Sequence, residues 1–268
     1  MALTKVSRGL LSTGIVDNSN ATAITLNSDE SATFAGGITV TGNAGIDGQT
    51  SPNADLHIGT ASAVGDATNP ALQFGGSTTF RLGMYTDAEG GYIENKNGDN
   101  GLIFRVKTVG EAMRIDGGSG AVTKTNQPAF LVTKNANQNN IAANTDVVVT
   151  WTTEVFDVGS NFNTSTNVFD APVSGKYQLS SNIRIDNIDS SANYCIVSIF
   201  TSNRLFRAVY SLNTLSADPV YWAFTLSITA DMDAGDHAWV TVNQGGGSVQ
   251  ADIAGDVSYT QFSGYLLG

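Results

Sequence analysis

Alternation of large apolar residues with small or polar ones is the feature that most constrains the fold of this chain. In residues 220–228 every even-numbered position is large and apolar, whereas Ala223, Thr225 and Ser227 are small or polar. Residues 176–186 repeat this period of two. Because successive side chains of a strand point to opposite faces, both segments are predicted to be strands with one buried face.

The composition favours strands and turns over helices. The 268 residues include 29 glycines, only 14% are charged, and the Lys-Glu-Ala runs typical of helices are missing. The formal net charge of −11 removes the attraction to phosphate on which nucleic-acid binders depend, so no nucleic-acid partner is expected. The only cysteine, Cys195, stands in an apolar run, which predicts a buried thiol and excludes an intrachain disulfide.

Two compositional regimes meet near residues 125–128. Before them, glycines recur every few residues, and apolar runs such as 23–26 and 37–40 are too short to close a core. Short strands of this kind can bury their apolar side chains when several identical chains wrap around a common axis. We therefore predict a fibrous, interwoven shaft with an N-terminal attachment segment in residues 1–69.

The rest of the chain is predicted to form two further modules. Residues 70–127 contain longer apolar runs separated by turn signals and are predicted to form a small β-module of the shaft. Residues 128–268 contain roughly eight to ten predicted strands, which fits two facing sheets. The fold class predicted from these patterns is all-β throughout.

Several segments of the second half carry the pattern of a known family. Residues 169–177 place Phe, Pro, Gly and an aromatic residue at the family's spacing, and residues 262–267 match its closing strand. A loop at 155–163 and a Gly-Asp turn at 234–236 occur in the same order. This region resembles the globular head of the first complement component, a jelly roll of the tumour necrosis factor superfamily. The resemblance implies a C-terminal jelly-roll sandwich that assembles as a homotrimer.

The first half has a resemblance of its own. Residues 70–122, together with 4–15 and 51–60 and the glycine-rich β composition around them, look like bacteriophage fibre shafts. The resemblance implies a virion component, namely a homotrimeric tail fibre whose N-terminus docks onto another virion structural protein. Its distal head would contact a glycan or a protein of the host surface. The predicted attachment residues are Leu3, Val6, Leu10 and Leu11.

The expected location follows from the absence of export signals in this sequence. No segment has the apolar length of a signal peptide or of a membrane span, which takes about 20 residues. We expect a protein that is made in the host cytoplasm, released by lysis and not inserted into a membrane.

The predicted receptor contacts lie in loops of the head. In the resembled family both termini lie at the base, and counting strands from there puts loops 231–235 and 254–256 at the far end. The predicted receptor-binding residues are Ser202, Asn203, Asp231, Asp233, Ala254 and Asp256. Three copies of Asp231, Asp233 and Asp256 would crowd carboxylates around the threefold axis, so an apical calcium ion is a further hypothesis.

Aromatic residues and one connecting loop complete the sequence-based picture of the head. Trp222 and Trp239, on predicted inward faces, are expected in the core or at the trimer axis. Tyr210 and Tyr221 are better candidates for exposed stacking. The connections at 187–192 and 213–218 show no residues distinctive of the family.

No catalytic constellation is visible, and we expect no enzymatic activity and no cofactor. The two histidines, His57 and His237, fall in different predicted modules, without a nucleophile or a set of metal ligands at suitable spacing. Two other functions stay open. One is a structural decoration or head fibre anchored on a capsid, and the other is a hydrolase of host glycans that uses a pair of carboxylates.

Overall fold

A computed structural model describes residues 24–26, 32–34, 44–46, 56–58, 72–77, 80–86, 91–95 and 101–268. The chain divides into two compact units, Met1–Asn100 and Gly101–Gly268. Every regular element among the described residues is a β-strand, so the predicted all-β class is confirmed.

The described strands of the first unit form small sheets. The first two sheets are the antiparallel pair of β1 (Ile24–Leu26) with β2 (Ala32–Phe34) and the parallel pair of β3 (Ala44–Ile46) with β4 (Leu56–Ile58). A third, antiparallel sheet contains β5 (Leu72–Ser77), β6 (Phe80–Thr86) and β7 (Gly91–Asn95). The predicted attachment residues and the predicted strand at 37–40 lie outside the described residues.

The second unit begins with a three-stranded antiparallel meander. It consists of β8 (Leu102–Val106), β9 (Gly110–Ile115) and β10 (Val122–Thr123), with β9 in the centre. No residue of these three strands is buried.

Residues 129–266 form a jelly-roll sandwich. Its strands are β11 (Ala129–Thr133), β12 (Val147–Val148), β13 (Thr153–Val158), β14 (Phe162–Asn163), β15 (Val168–Asp170), β16 (Gly175–Asp186), β17 (Tyr194–Thr201), β18 (Leu205–Ser211), β19 (Tyr221–Met232), β20 (His237–Gln244), β21 (Asp252–Ile253) and β22 (Gln261–Leu266). Leaving out the three strands of two residues, nine remain, within the predicted number.

The strands are arranged in two facing sheets. The first sheet has the order β13-β11-β22-β16-β19, with β21 paired to β16. The second sheet has the order β14-β15-β20-β17-β18, with β12 paired to β20. Strands β18 and β19 are therefore the edges of their sheets on the same side of the sandwich, where the Tyr210 hydroxyl donates to the Thr225 carbonyl at 3.2 Å.

The two segments that carry the family pattern are neighbours in the first sheet. β16 pairs with β22 through Tyr177 opposite Leu266 and Leu179 opposite Gly264. Gly264 has no room for a side chain, since a Cβ there would lie 2.5 Å from Leu179 Cδ2 and 2.7 Å from Phe130 Cε1. The absence of a Cβ thus lets β22 lie directly against the core.

The core between the sheets is built on aromatic rings. Phe130 stacks on Phe169 with a centroid distance of 4.6 Å and meets Phe262 edge-on at 5.0 Å. Trp151 stacks on Phe262 at 6.0 Å. Tyr177 is fully buried, and its hydroxyl donates to the Val173 carbonyl at 2.8 Å. The aromatic residues of the family pattern are therefore packing residues.

The two ends of the sandwich differ in what they carry. At one end, here called the base, the Leu266 N–H donates to the Pro128 carbonyl and the Lys176 N–H donates to the Gly268 carbonyl. The opposite end, here called the tip, carries the connections 187–193, 212–220 and 245–256. The chain therefore enters and leaves the sandwich at the base.

Candidate functional site

The hairpin at Ser202 and Asn203 meets the turn before β20 at the base. The His237 N–H donates to Ser202 Oγ at 2.8 Å, and Asn203 Nδ2 donates to the Asp236 carboxylate. The same carboxylate accepts from the Asp233 N–H at 2.8 Å. The structure thus brings together three predicted receptor-binding residues, namely Ser202, Asn203 and Asp233.

Asp231 also lies at the base. It stands opposite Lys176 in the pairing of β19 with β16, and its carboxylate is 3.3 Å from Lys176 Nζ. Both side chains are largely exposed, so solvent limits this ion pair to at most about 1 kcal/mol.

Ala254 and Asp256 lie near the tip, away from the other predicted contacts. The Ala254 N–H donates to the Arg184 carbonyl at 2.9 Å, and Asp256 Oδ2 is 3.9 Å from the Arg184 guanidinium. Arg184 lies nine residues along β16 from Gly175, which is opposite Met232. At about 3.3 Å per residue, roughly 30 Å separates the two groups of loops.

The prediction that loops 231–235 and 254–256 share the far end is therefore wrong. The strands β12, β14 and β15 have only two or three residues each and show no alternation that a sequence count could detect. Because each strand reverses the direction of the chain, one miscounted strand moves a loop to the opposite end.

The calcium hypothesis loses its geometric basis with this correction. It required Asp231, Asp233 and Asp256 to share one end of the head, and the register separates Asp256 from the other two. Across the part of the chain that the structure describes, no three His, Cys, Asp or Glu side chains come together in a way that could hold a metal ion.

Asp189 organises the loops of the tip. Its buried carboxylate accepts hydrogen bonds from the Ser191 N–H at 2.7 Å, the Val249 N–H at 2.7 Å and the Ser248 hydroxyl at 3.0 Å. Hydrogen bonds from Ser191 and then Val249 hold the pKa of this carboxyl well below its usual value. Asp189 therefore ties loop 187–193 to loop 245–251.

A second aspartate links the third loop of the tip. Asp218 accepts from the Ser190 N–H at 2.8 Å and from the Ser190 hydroxyl, and these bonds lower the pKa of its carboxyl. Sequence analysis missed both aspartates because it looked for family residues in 187–192 and 213–218. For Asp189 the available signal was the polar run Asp189-Ser190-Ser191 three residues after the end of a strand, which is typical of a side chain that caps its own turn.

An aromatic patch surrounds Arg184 on the first sheet near the tip. The guanidinium lies 4.8 Å from the Tyr221 ring centroid and 5.6 Å from that of Tyr259, and its Nε donates to Asp186 at 2.8 Å. With Trp222, these rings line a depression of about 380 Å³. The predicted exposure of Tyr221 is confirmed.

The edge formed by β18, β19 and Val220, the residue of the tip connection directly before β19, carries uncovered apolar side chains. Val220 is 76% exposed, Val209 62% and Trp222 44%, and Leu205 is also exposed. Only residues 224–232 of β19 bury the alternating face that the sequence predicts. β19 is at the edge of its sheet, and the facing edge strand β18 leaves the first residues of β19 uncovered.

The predictions for the other aromatic residues need correction. Trp239 points outward from β20 and stacks on Phe200, and Trp222 is exposed, so neither of them is in the core. The alternative, packing at the trimer axis, stays a prediction. The buried tryptophan is Trp151. Tyr210, predicted to be exposed, is half-buried and packs on Phe224 at a centroid distance of 4.5 Å.

Among the described residues, His237 and Cys195 are not arranged for nucleophilic catalysis. His237 Nδ1 lies within hydrogen-bonding distance of Asp170 Oδ1, but no serine or cysteine hydrogen-bonds to the imidazole. The Cys195 thiol is buried, and desolvation raises its pKa to about 12, which makes it a poor nucleophile. In the described part of the chain there is also no helix of the length and apolar character needed to span a bilayer.

Comparison with known proteins places the second half in a known family. The family model described as "C1q domain" matches residues 129–267. Similar solved structures include the globular domain of zebrafish complement 1qA protein, at 16% identity and a TM-score of 0.39, covering 53% of this chain and 98% of that one. Murine APRIL is similar at 15% identity and a TM-score of 0.38, with 53% and 99% covered. No curated protein matches the chain.

Proposed function

Given that this chain belongs to the C1q domain family, we propose that three copies associate through their C-terminal sandwiches and form a bacteriophage tail fibre whose head binds the host surface. C1q domains commonly form homotrimers and are typically binding or structural modules. The observation that carries the proposal is the uncovered apolar edge of β18 and β19.

The exposed apolar side chains of this edge are typical of an interface with another copy of the chain. Fully burying side chains such as Val220, Val209 and Trp222 contributes roughly 1.5–3 kcal/mol each. Monomeric proteins rarely leave such side chains clustered on the surface. In a closed threefold assembly, the edge of each protomer would pack against the next protomer, and every edge would be covered.

The meander β8–β10 supports the same association. Its cross-strand partners Leu102, Ile115 and Val122 share one face with Phe104 and Met113, so this face is entirely apolar. Phe104 is 45% exposed and Val122 58% exposed. A sheet of this size without a buried residue gains a core when the same face of other copies packs against it.

The tip is the proposed receptor-contact end. The chain enters at the base, so the segment with Ala254 and Asp256 stands at the opposite end, where it contacts Arg184. Asp189 holds the neighbouring loops 187–193 and 245–251 together there. The predicted receptor-binding residues that lie at the base, Ser202, Asn203, Asp231 and Asp233, would contact a receptor from the side of the head. Three heads on one fibre would raise the effective concentration of weak sites.

Assignment to a phage rests on the similarity of residues 4–15, 51–60 and 70–122 to fibre shafts. Localisation in the virion can be tested by labelling purified particles with antibodies to this chain. We expect label at the tail. Label on the capsid would instead favour the decoration fibre, and absence of label would contradict a virion role.

Host binding can be tested with purified full-length protein and intact host cells. We expect saturable adsorption that competes with adsorption of the phage. Binding that leaves phage adsorption unchanged would contradict the receptor-binding role. Release of reducing sugars from host envelope polysaccharide would favour the hydrolase.

A further inference from the structure

A groove on the outer face of the second sheet has the features of a ligand site. Trp239 forms its floor, Val148 and Val168 form apolar walls, and Asp170 and His237 stand at one rim. Asn163 and Thr166 complete the lining. The cavity volume is about 470 Å³, within the range of about 300–1,000 Å³ typical of small-molecule sites.

A second rim of the groove is formed by the segment 163–167, which contributes Asn163 and Thr166 and is held in place by its own hydrogen bonds. Asn163 Oδ1 accepts from the Ser165 N–H at 2.9 Å, and the Asn167 N–H donates to the Asn163 carbonyl at 2.7 Å. Asn167 Oδ1 in turn accepts from the backbone N–H of the buried Trp151 at 2.8 Å. A rim fixed in this way reduces the conformational entropy lost when a ligand binds.

The floor is equally fixed. Trp239 is stacked on Phe200 with a centroid distance of 5.1 Å and an interplanar angle of 11°. Both residues stand on adjacent, paired strands of the sheet, which sets the orientation of the indole. The floor of the groove is thus a flat aromatic surface.

The polar groups of the groove keep hydrogen-bonding capacity free. Asp170 Oδ1 and His237 Nδ1 contact each other, whereas Asp170 Oδ2 and His237 Nε2 have no protein partner among the described residues. Asn163 Nδ2 is free in the same sense, since only the Oδ1 atom of that amide is engaged. No lysine or arginine lines the groove.

We propose that this groove binds a neutral pyranose unit, a hexose or an N-acetylhexosamine, of a host-surface glycan. A pyranose ring has an apolar C–H face that matches the indole and a hydroxyl edge that matches the mixed donors and acceptors of the rim. An acidic sugar would meet Asp170 without a lysine or arginine to compensate its charge. The assignment rests on the proposed function, for which it names the ligand class.

The groove is compatible with the proposed trimer. It lies on β12, β14, β15 and β20, whereas the apolar edge is formed by β18 and β19 on the other side of the sandwich. Ser202, a predicted receptor-binding residue, adjoins the groove because its Oγ accepts from the His237 N–H.

The test uses full-length protein on a printed array of defined neutral and acidic glycans, followed by calorimetric titration with the best neutral glycan. We expect neutral glycans to bind. Trp239→Ala, which removes the floor, should weaken binding about tenfold or more. Val148→Trp should do the same by filling the groove from a position exposed enough to accept a larger side chain.

The matched control is Val155→Trp, an exposed position on β13 away from the groove, which should leave glycan affinity unchanged. Absence of neutral-glycan binding, a preference for acidic glycans, or undiminished affinity in a folded Val148→Trp protein would overturn the assignment. Host-cell adsorption separates the two proposals. If Val148→Trp adsorbs like the wild type, the groove assignment fails and the fibre function stands, whereas a wild-type protein that does not adsorb contradicts the function itself.

Discussion

At the scale of single residues, Lys134 is the least expected side chain in the head, because a lysine is fully buried there without a carboxylate partner. Its Nζ donates to the Thr150 carbonyl at 3.0 Å and to the Thr150 hydroxyl at 2.6 Å. No Asp or Glu of the described residues forms an ion pair with it. Desolvation therefore lowers the pKa of Lys134 below its usual 10.5.

This shift predicts a pH dependence of stability. Because the folded state binds the Lys134 proton more weakly than the unfolded state does, the protein gains stability as pH rises through the lowered pKa towards 10.5, and the cost is fully present below that window. We expect Lys134→Met to reduce this gain. Thermal unfolding of both proteins between pH 7 and about pH 10 checks it, and parallel curves would contradict the prediction.

Asp189 is the second residue whose contribution to stability can be tested by substitution. Replacing it with alanine leaves the N–H groups of Ser191 and Val249 without their acceptor, which we expect to destabilise the tip by about 1–3 kcal/mol. Hydrogen exchange at 191, 248 and 249 should accelerate. Asp233→Ala is the control, because only the backbone of Asp233, and not its carboxylate, forms hydrogen bonds within the described part of the chain. Equal exchange in the two variants would show that Asp189 does not hold the loops.

At the scale of elements, the close contact of β22 with the core depends on Gly264. A methyl group there would overlap Leu179 and Phe130, both fully buried. We expect Gly264→Ala to lower the free energy of unfolding by about 1–3 kcal/mol, measured by denaturant titration. Ser263→Ala, one residue earlier on the opposite face of β22, should change it little. An unchanged free energy of unfolding in Gly264→Ala would contradict this, because it would show that Leu179 and Phe130 can shift to accommodate the methyl group.

Some strands of the head could be predicted from the sequence, whereas their positions in the sheets could not. The period of two at 176–186 marked β16 within one residue of its observed bounds, because this strand buries one face. Alternation cannot show which strand stands at an edge, so the exposure of Val220 and Trp222 was not foreseen. The position of the Asp231 loop was missed because β12, β14 and β15 are too short to count.

Candidate binding residues were predicted less well than strands. Loop residues were chosen for polarity and position, and the structure distributes them between base and tip. The groove around Trp239 depends on strands β12, β15 and β20, which are far apart in sequence. Such a site arises from pairing between distant segments, for which a single sequence carries no direct signal.

At the scale of the whole molecule, the account depends on association of three chains. The second unit has a complete core between its sheets, yet it leaves the edge of β18 and β19 and one face of β8–β10 apolar and uncovered. A charge at position 220 would be buried without a partner in the trimer but exposed to water in a monomer. Val220→Asp should therefore dissociate the assembly without unfolding the sandwich.

Sedimentation equilibrium of the full-length chain at micromolar concentration tests this claim most directly. The account predicts a mass three times the 28.0 kDa of one chain for the wild type and for Val155→Asp, and a large shift to lower mass for Val220→Asp. A folded wild-type monomer, or a Val220→Asp protein as trimeric as the wild type, would contradict it.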